Sequence, residues 1–307
     1  MAKRQPQKAT VEKVTLPGTK ITLDKRPGDQ AFVPKLIPDY YFRTEITEEV
    51  TWAISESVKV LLVGDAGTGK TSLVEQIAAQ ANISLHRRNL HGESDTMSLI
   101  GRDMPTEIEA VRQIVYRWGF LPQAMVNGDW VLLDEIDAAL QPVLFVLQQV
   151  LEDQGRLVLE DAQSTVVEPH PNFRLFATGN TVGIAGRHKL LYSGTMGRMN
   201  EATLDRFGAV VHVPYMEPEL ERKVVHNNAP GLDADFVTAI VKVANEVRHG
   251  LQNDELTCTF STRKCIAWAR AMQAFHPVRA AKLTVLNKLC VEDYKVLEGV
   301  IQRIFGS

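Results

Sequence analysis

The sequence predicts an α/β domain with a parallel sheet covered by helices, followed by a small all-helical domain. Three observations carry that expectation. From about residue 41 to 213, apolar strand-like runs alternate with amphipathic stretches, the pattern of parallel strands joined by crossover helices. After Pro214 the strand-like runs stop, and helical spacing takes over to the end of the chain. Between Val58 and Ala81 an apolar run, a glycine-rich turn and a helical stretch follow one another, the order expected at the carboxyl edge of such a sheet.

Residues 1–40 are rich in Lys, Pro and Thr and read as a partly extended N-terminal arm, leading into Ala31-Phe32-Val33-Pro34 and Pro38-Asp39-Tyr40-Tyr41-Phe42. Up to Lys35 it holds eight basic against three acidic residues. A solvated tail, or one packing on a neighbouring subunit, explains this better than nucleic-acid contact. Residues 41–213 form the sheet domain, with strands expected at Val58–Val63, Ile83–Arg87, Trp130–Leu133, Phe173–Ala177 and Ala209–Val213. A helix is expected over Thr71–Ala81. Residues 214–307 form the helical lid, with helices over Glu217–Asn227, Asp233–Gly250, Thr262–Phe275 and from Val278 to near Phe305.

Bulk composition narrows the function classes. The chain has 307 residues, enough for more than one core, with 45% hydrophobic and 23% charged residues. Its net charge of −3 gives no general attraction to nucleic acid or acidic membranes. No run approaches the ~18 apolar residues of a membrane span, and the polar, basic start is no secretory signal. Cys258, Cys265 and Cys290 include no CxxC pair. They suit a reducing, cytoplasmic setting and read as plain lid residues.

Gly64-Asp65-Ala66-Gly67-Thr68-Gly69-Lys70-Thr71 is a complete G-x-x-x-x-G-K-T phosphate-binding loop. A strand feeding this turn and a helix N-terminus aims backbone N–H groups at one point, and the dipole favours an anion there. Lys70 would reach the β- and γ-phosphates of ATP, and the Thr71 hydroxyl would ligate Mg2+. By chance the pattern arises in roughly 1% of chains of this length, so an ordinary glycine-rich turn is a poor account of it.

Trp130-Val131-Leu132-Leu133-Asp134-Glu135-Ile136-Asp137 supplies the second half, an apolar strand ending in carboxylates. Asp134 would hold Mg2+ through water, and Glu135 would polarise the attacking water as general base. Asp137 reads as a cap for a helix beginning at Ala138. Phe173–Asn180 is another strand ending in a polar residue. Asn180 is either a turn residue or a group orienting water near the γ-phosphate, and beside two nucleotide motifs the second reading is favoured. Arg206, in Leu204-Asp205-Arg206-Phe207, is either an edge ion pair or an arginine finger for a neighbour's ATP. Arg263 opens a lid helix, where the macrodipole mildly disfavours a surface cation and a phosphate contact is the alternative.

With these residues in hand, the chain resembles the MoxR branch of the AAA+ ATPases, and within it the CobS-type ATPase subunits of aerobic cobaltochelatase. The likeness runs from about Lys20 to the C-terminus. It covers Val33-Pro34 through Tyr40, the Gly64–Thr71 loop, Leu133–Asp137, Pro171–Gly183 and Tyr192-Ser193-Gly194-Thr195. It implies that Asn180 is sensor 1, Arg206 the arginine finger and Arg263 sensor 2. It also implies two inserted hairpins facing a ring pore, which fit Leu99–Phe120 and Arg156–Val167, the latter turning at Asp161-Ala162-Gln163. The resemblance further implies a homo-oligomeric ring, expected to be a hexamer, with a von Willebrand-type metal-binding partner and a large chelatase subunit. Asp103–Glu109 and His86–Gly92 depart from the CobS pattern, and the latter stretch reads as solvent or interface residues.

Four functions are then in competition. The first is a ring-forming ATPase that remodels a partner complex, driving Co2+ insertion into a corrinoid if the CobS likeness extends that far. The second is a MoxR-type chaperone with another protein client. The third, a nucleic-acid motor, has only the basic arm in its favour and no basic stripe. The fourth, a small-molecule kinase, leaves Asn180, Arg206 and the lid without a purpose.

Overall fold

The computed structural model describes residues 12–108, 111–162, 164–180, 199 and 201–306. Thr181-Val182-Gly183, Tyr192–Thr195, Gln163 and the basic residues Lys3, Arg4 and Lys8 lie outside the described residues. The chain divides into two compact units. One holds the residues up to Leu62, Thr71–Gly183 and Gly197–Val211; the other holds Val63–Lys70, Ile184–Met196 and His212–Ser307.

The first unit opens with strands β1 (Lys13–Thr15) and β2 (Thr22–Asp24), an antiparallel hairpin, and helix α1 (Thr44–Ser55). Strand β3 (Val60–Val63) leads through the loop to α2 (Lys70–Gln80) and β4 (Leu85–Asn89). Then come α3 (Thr96–Ile100), β5 (Gly101–Ile108), β6 (Val111–Trp118), α4 (Phe120–Asn127) and β7 (Trp130–Asp134). Helix α5 (Gln141–Leu151), β8 (Leu157–Leu159), β9 (Thr165–Val167), β10 (Arg174–Gly179), α6 (Glu201–Leu204) and β11 (Ala209–His212) complete the α/β part. The five-stranded sheet has the order β11-β3-β10-β7-β4. All five expected strands are present, with ends shifted by one or two residues in most cases. Strands β3, β7 and β10 are buried at every position, which is why they read as continuous apolar runs rather than alternating ones. β7 pairs in parallel with β10 and with β4, setting Leu133 opposite Ala177 and Asp134 opposite Asn89. Of these five, the first in sequence, β3, lies between the last, β11, and the fourth, β10; the chain leaves β3 for the β4 edge and later crosses from β10 to β11 on its other side. Ligand crevices form at the carboxyl ends of strands at such a switch.

Of the N-terminal arm, residues 12–40 are described, and most of them are exposed or half-buried. Leu16 is fully buried, and residues 26–37 are hydrogen-bonded along this unit's own surface. Gly28 N–H donates to Asn82 O at 3.0 Å, Leu85 N–H to Phe32 O at 3.0 Å, and Ile37 N–H to the Gln76 side chain at 2.8 Å. Both insertions are antiparallel hairpins. β5 pairs with β6 from Gly101 opposite Trp118 to Ile108 opposite Val111, and β8 pairs with β9 from Leu157 opposite Val167 to Leu159 opposite Thr165.

The second unit carries α7 (Pro218–Asn228), α8 (Ala234–Gln252), α9 (Thr262–Met272), α10 (Pro277–Thr284) and α11 (Val291–Phe305). Val225, Ile240, Val247, Phe260, Trp268, Leu286 and Ile301 form its core. The single long helix expected from Val278 is broken. Val285 leaves helical geometry at φ −123°, ψ −63°, and Val285 and Leu286 are both fully buried. Burial of these two side chains contributes about 1.5–3 kcal/mol each, which offsets the helical hydrogen bonds given up at the break. Among the described residues no helix is long and apolar enough to cross a membrane.

Candidate active site

The loop belongs to the helical unit. Gly67 has φ +78°, and a Cβ there would lie 2.5 Å from Ser261 Cβ, so only glycine lets the loop pass the start of α9. At Gly69, with φ +97°, a Cβ would meet nothing within 4 Å, so the loop keeps open space on that side. Lys70 is 8% exposed, and its ammonium donates to Gly64 O at 2.5 Å and Asp65 O at 2.9 Å. A buried ammonium beside glycine-rich backbone and open space fits a phosphate. Tyr215 donates its hydroxyl to Ala66 O at 3.3 Å, and the Arg248 guanidinium lies 3.9 Å from the Tyr215 ring centre. Arg248 also forms two 2.7 Å bonds to Glu221, whose Oε1 accepts from Thr262 at 2.6 Å. Burial works against the charge on Arg248, yet the bonded and facing Glu221 carboxylate holds its pKa above the ordinary value. Ser261 caps α9 by accepting from Lys264 N–H at 3.3 Å, and Arg263 stands exposed at the second position of the helix.

The α/β unit gathers a second group around Asp134, the last residue of β7, which is 4% exposed. The hydroxyls of Thr71 and Thr178 both donate to its Oδ1, at 2.7 and 2.8 Å. Arg87 Nε donates to Oδ2 at 2.5 Å, and Arg87 Nη1 reaches Glu75 at 3.0 Å. Burial again opposes the Arg87 charge, and Asp134 and Glu75 outweigh it, raising the pKa. A carboxylate and a hydroxyl brought together at a sheet's carboxyl edge are hard oxygen donors of the kind that suits Mg2+.

Glu135 adopts left-handed backbone geometry, φ 57° and ψ 44°, and its side chain is exposed. That conformation costs a non-glycine residue about 1–3 kcal/mol and here turns the chain sharply at the strand end. Glu135 N–H donates to Thr178 Oγ1 at 3.2 Å, so Thr178 ties the turn to Asp134. Asp137 does not cap the following helix. It lies in a 3-10 turn over Ile136–Ala138, α5 begins at Gln141, and the Asp137 carboxylate accepts from Asn180 N–H at 2.9 Å. Asp137 thereby fixes the end of β10, where Asn180 is half-buried. Arg206 follows α6 and pairs with Glu152 of its own chain at 2.7 Å.

Sequence reasoning passed over Arg87 and His86 as solvent or interface residues. His86 is 9% exposed and bonds Asp129 at 3.1 Å, and Arg87 holds Asp134. Two consecutive arginines on an edge strand whose first residues, Leu85 and His86, are buried are the available signal. Among the described residues no group of three or more His, Cys, Asp or Glu is placed to hold a metal ion.

Comparison with known proteins places this architecture. Residues 59–207 match the AAA domain of the dynein-related subfamily, and residues 221–305 match the CbbQ/NirQ/NorQ C-terminal domain. The chain is 36% identical over 284 residues to the aerobic cobaltochelatase subunit CobS of Sinorhizobium sp, covering 91% of this chain and 84% of that protein. It belongs to the MoxR-type AAA+ ATPases and, among them, to the family of CobS. A midasin from Giardia intestinalis is 30% identical over 213 residues, 68% of this chain but 4% of that much longer protein. A RuvB variant from Thermotoga maritima shares the fold, with a TM-score of 0.51 at 14% identity over 88% of this chain and 73% of RuvB.

Proposed function

We propose that this AAA+ ATPase works as a ring, a hexamer, in which each ATP is enclosed by two neighbouring copies and hydrolysis remodels a partner complex. Lys70 and the Gly64–Gly69 backbone would hold the phosphates, with Thr71 and Asp134 holding Mg2+. Bound there, Mg2+ would neutralise charge on the β- and γ-phosphate oxygens. Exposed Glu135 accepts a proton from the attacking water, and Asn180 orients that water. Arg206 reaches the neighbour's γ-phosphate and Arg263 its own chain's phosphates. The pair that Arg206 makes with Glu152 is a surface contact worth about 0–1 kcal/mol, so it yields readily to a triphosphate.

The remodelling reading rests on the CobS likeness, which extends over 91% of the chain and both of its matched regions. It makes the partners a large chelatase subunit and a metal-binding-domain protein, and the work Co2+ insertion into a corrinoid, with cobalt as cargo held by those partners. The match of residues 221–305 to the CbbQ/NirQ/NorQ type favours a second reading, a chaperone for another enzyme.

One experiment separates them. Glu135→Gln should bind ATP without hydrolysing it, with turnover down on the order of 10²–10⁴-fold, and should retain its partner when purified with ATP. Lys70→Ala should bind neither. Retention of a tetrapyrrole-binding chelatase supports cobalt insertion; retention of an unrelated enzyme supports the chaperone reading.

A further inference from the structure

Arg87 makes the shortest of the three side-chain contacts to the Asp134 carboxylate. Thr71 and Glu75 are four residues apart on α2 and so share one face of that helix. Thr71 reaches Asp134 directly at 2.7 Å. Glu75 reaches it through Arg87, whose Nη1 is 3.0 Å from Glu75 and whose Nε is 2.5 Å from Asp134 Oδ2. Helix α2 and strand β7 are thus tied at two successive levels, once by a hydroxyl and once by a guanidinium.

An ionised carboxylate offers about four acceptor positions. On Asp134 the two threonine hydroxyls take Oδ1, and Arg87 takes one position on Oδ2. The carboxylate plane is then fixed, with one direction on Oδ2 left for another donor. A water on a hydrated cation is such a donor. We propose that Arg87 is a positioning residue for the Mg2+ of the nucleotide site, orienting Asp134 so that its remaining acceptor position faces the ion's water shell. This rests on the nucleotide reading above.

A cation beside a cation site would also repel the ion, and the balance can be judged from exposure. The Arg87 side chain is 50% exposed and Asp134 5%, so the repulsion is screened by water while the short charge-assisted bond is anchored at its buried end. Orientation outweighs repulsion.

The test is a titration of fluorescently labelled ATP onto the full chain at rising Mg2+, compared with binding in chelator. Arg87→Gln should need about tenfold more Mg2+ for half-maximal effect, matching loss of about one charge-assisted bond. Its Mg2+-free affinity should stay within about twofold of the parent, a smaller change than one neutral hydrogen bond. Glu75→Gln, which removes the far anchor but leaves Arg87, should shift the Mg2+ midpoint the same way by less. Arg87→Lys should recover part of the loss. An unchanged or lower Mg2+ midpoint in Arg87→Gln overturns the proposal, as does a fall in melting temperature with no Mg2+ shift. If Arg87→Gln does not fold, Arg87→Lys and Glu75→Gln decide, since both keep the charge of Arg87's position. A parent protein that binds no labelled ATP takes down the nucleotide reading and this inference together, an outcome visible before any variant is made.

Discussion

Two arginine–glutamate pairs in this chain have the same chemistry and the same 2.7 Å separation, yet they sit in opposite environments. Arg248 and Glu221, in the helical unit, have side chains 7% and 0% exposed. Arg206 and Glu152, in the α/β unit, are 29% and 56% exposed. The buried pair is committed: Glu221 also receives Thr262, and Arg248 also reaches Phe260 O at 2.8 Å and stacks on Tyr215. Neither partner can leave without stranding a charge. The exposed pair gives up little when broken, since water can replace either partner, although Arg206 Nη1 also donates to Ala202 O. Burial, rather than distance, separates a guanidinium that is costly to free from one that is cheap to free.

The comparison breaks first at the buried pair. Arg248→Met should strand Glu221 and destabilise the protein by about 3–5 kcal/mol in a denaturant titration. Glu152→Gln, at the exposed pair, should cost about 0–1 kcal/mol in the same assay. Equal costs would erase the distinction drawn here. The cysteines sharpen it further, since the same burial governs their reactivity. Burial, aided by the nearby Asp293 carboxylate, pushes the Cys258 thiol up to about 12, and burial beside Glu221 raises Cys265 as well. Cys290 is exposed. Native protein at neutral pH should therefore react with about one equivalent of a thiol reagent, at Cys290, and with three after denaturation.

Much of this was legible in the sequence, for reasons that differ by element. The Gly64–Thr71 loop is a local motif whose residues act together, and strands buried on both faces announce themselves as apolar runs. The lid helices α7 to α9 show their spacing because each buries one face. What stayed hidden depends on partners distant in sequence. Nothing near Asp137 tells that its carboxylate will take Asn180 N–H rather than cap α5. The β1–β2 hairpin has three-residue strands with little burial, too short to show alternation. No glycine or proline marks the break at Val285, which coincides with the burial of Val285 and Leu286 against distant residues. Arg87 looked like a surface cation because its value lies in a strand pairing that the sequence does not spell out.

The central claim is that Arg206 completes a neighbouring copy's ATP site. The most direct measurement is steady-state ATP turnover of Arg206→Ala, alone and mixed with Glu135→Gln. Arg206→Ala alone should bind ATP normally and lose turnover on the order of 10³-fold. Mixing it with Glu135→Gln, itself nearly inactive, should restore activity, because some interfaces then pair an intact Glu135 with an intact Arg206. Full turnover by Arg206→Ala alone, or no recovery in a mixture shown to co-assemble, would contradict the account.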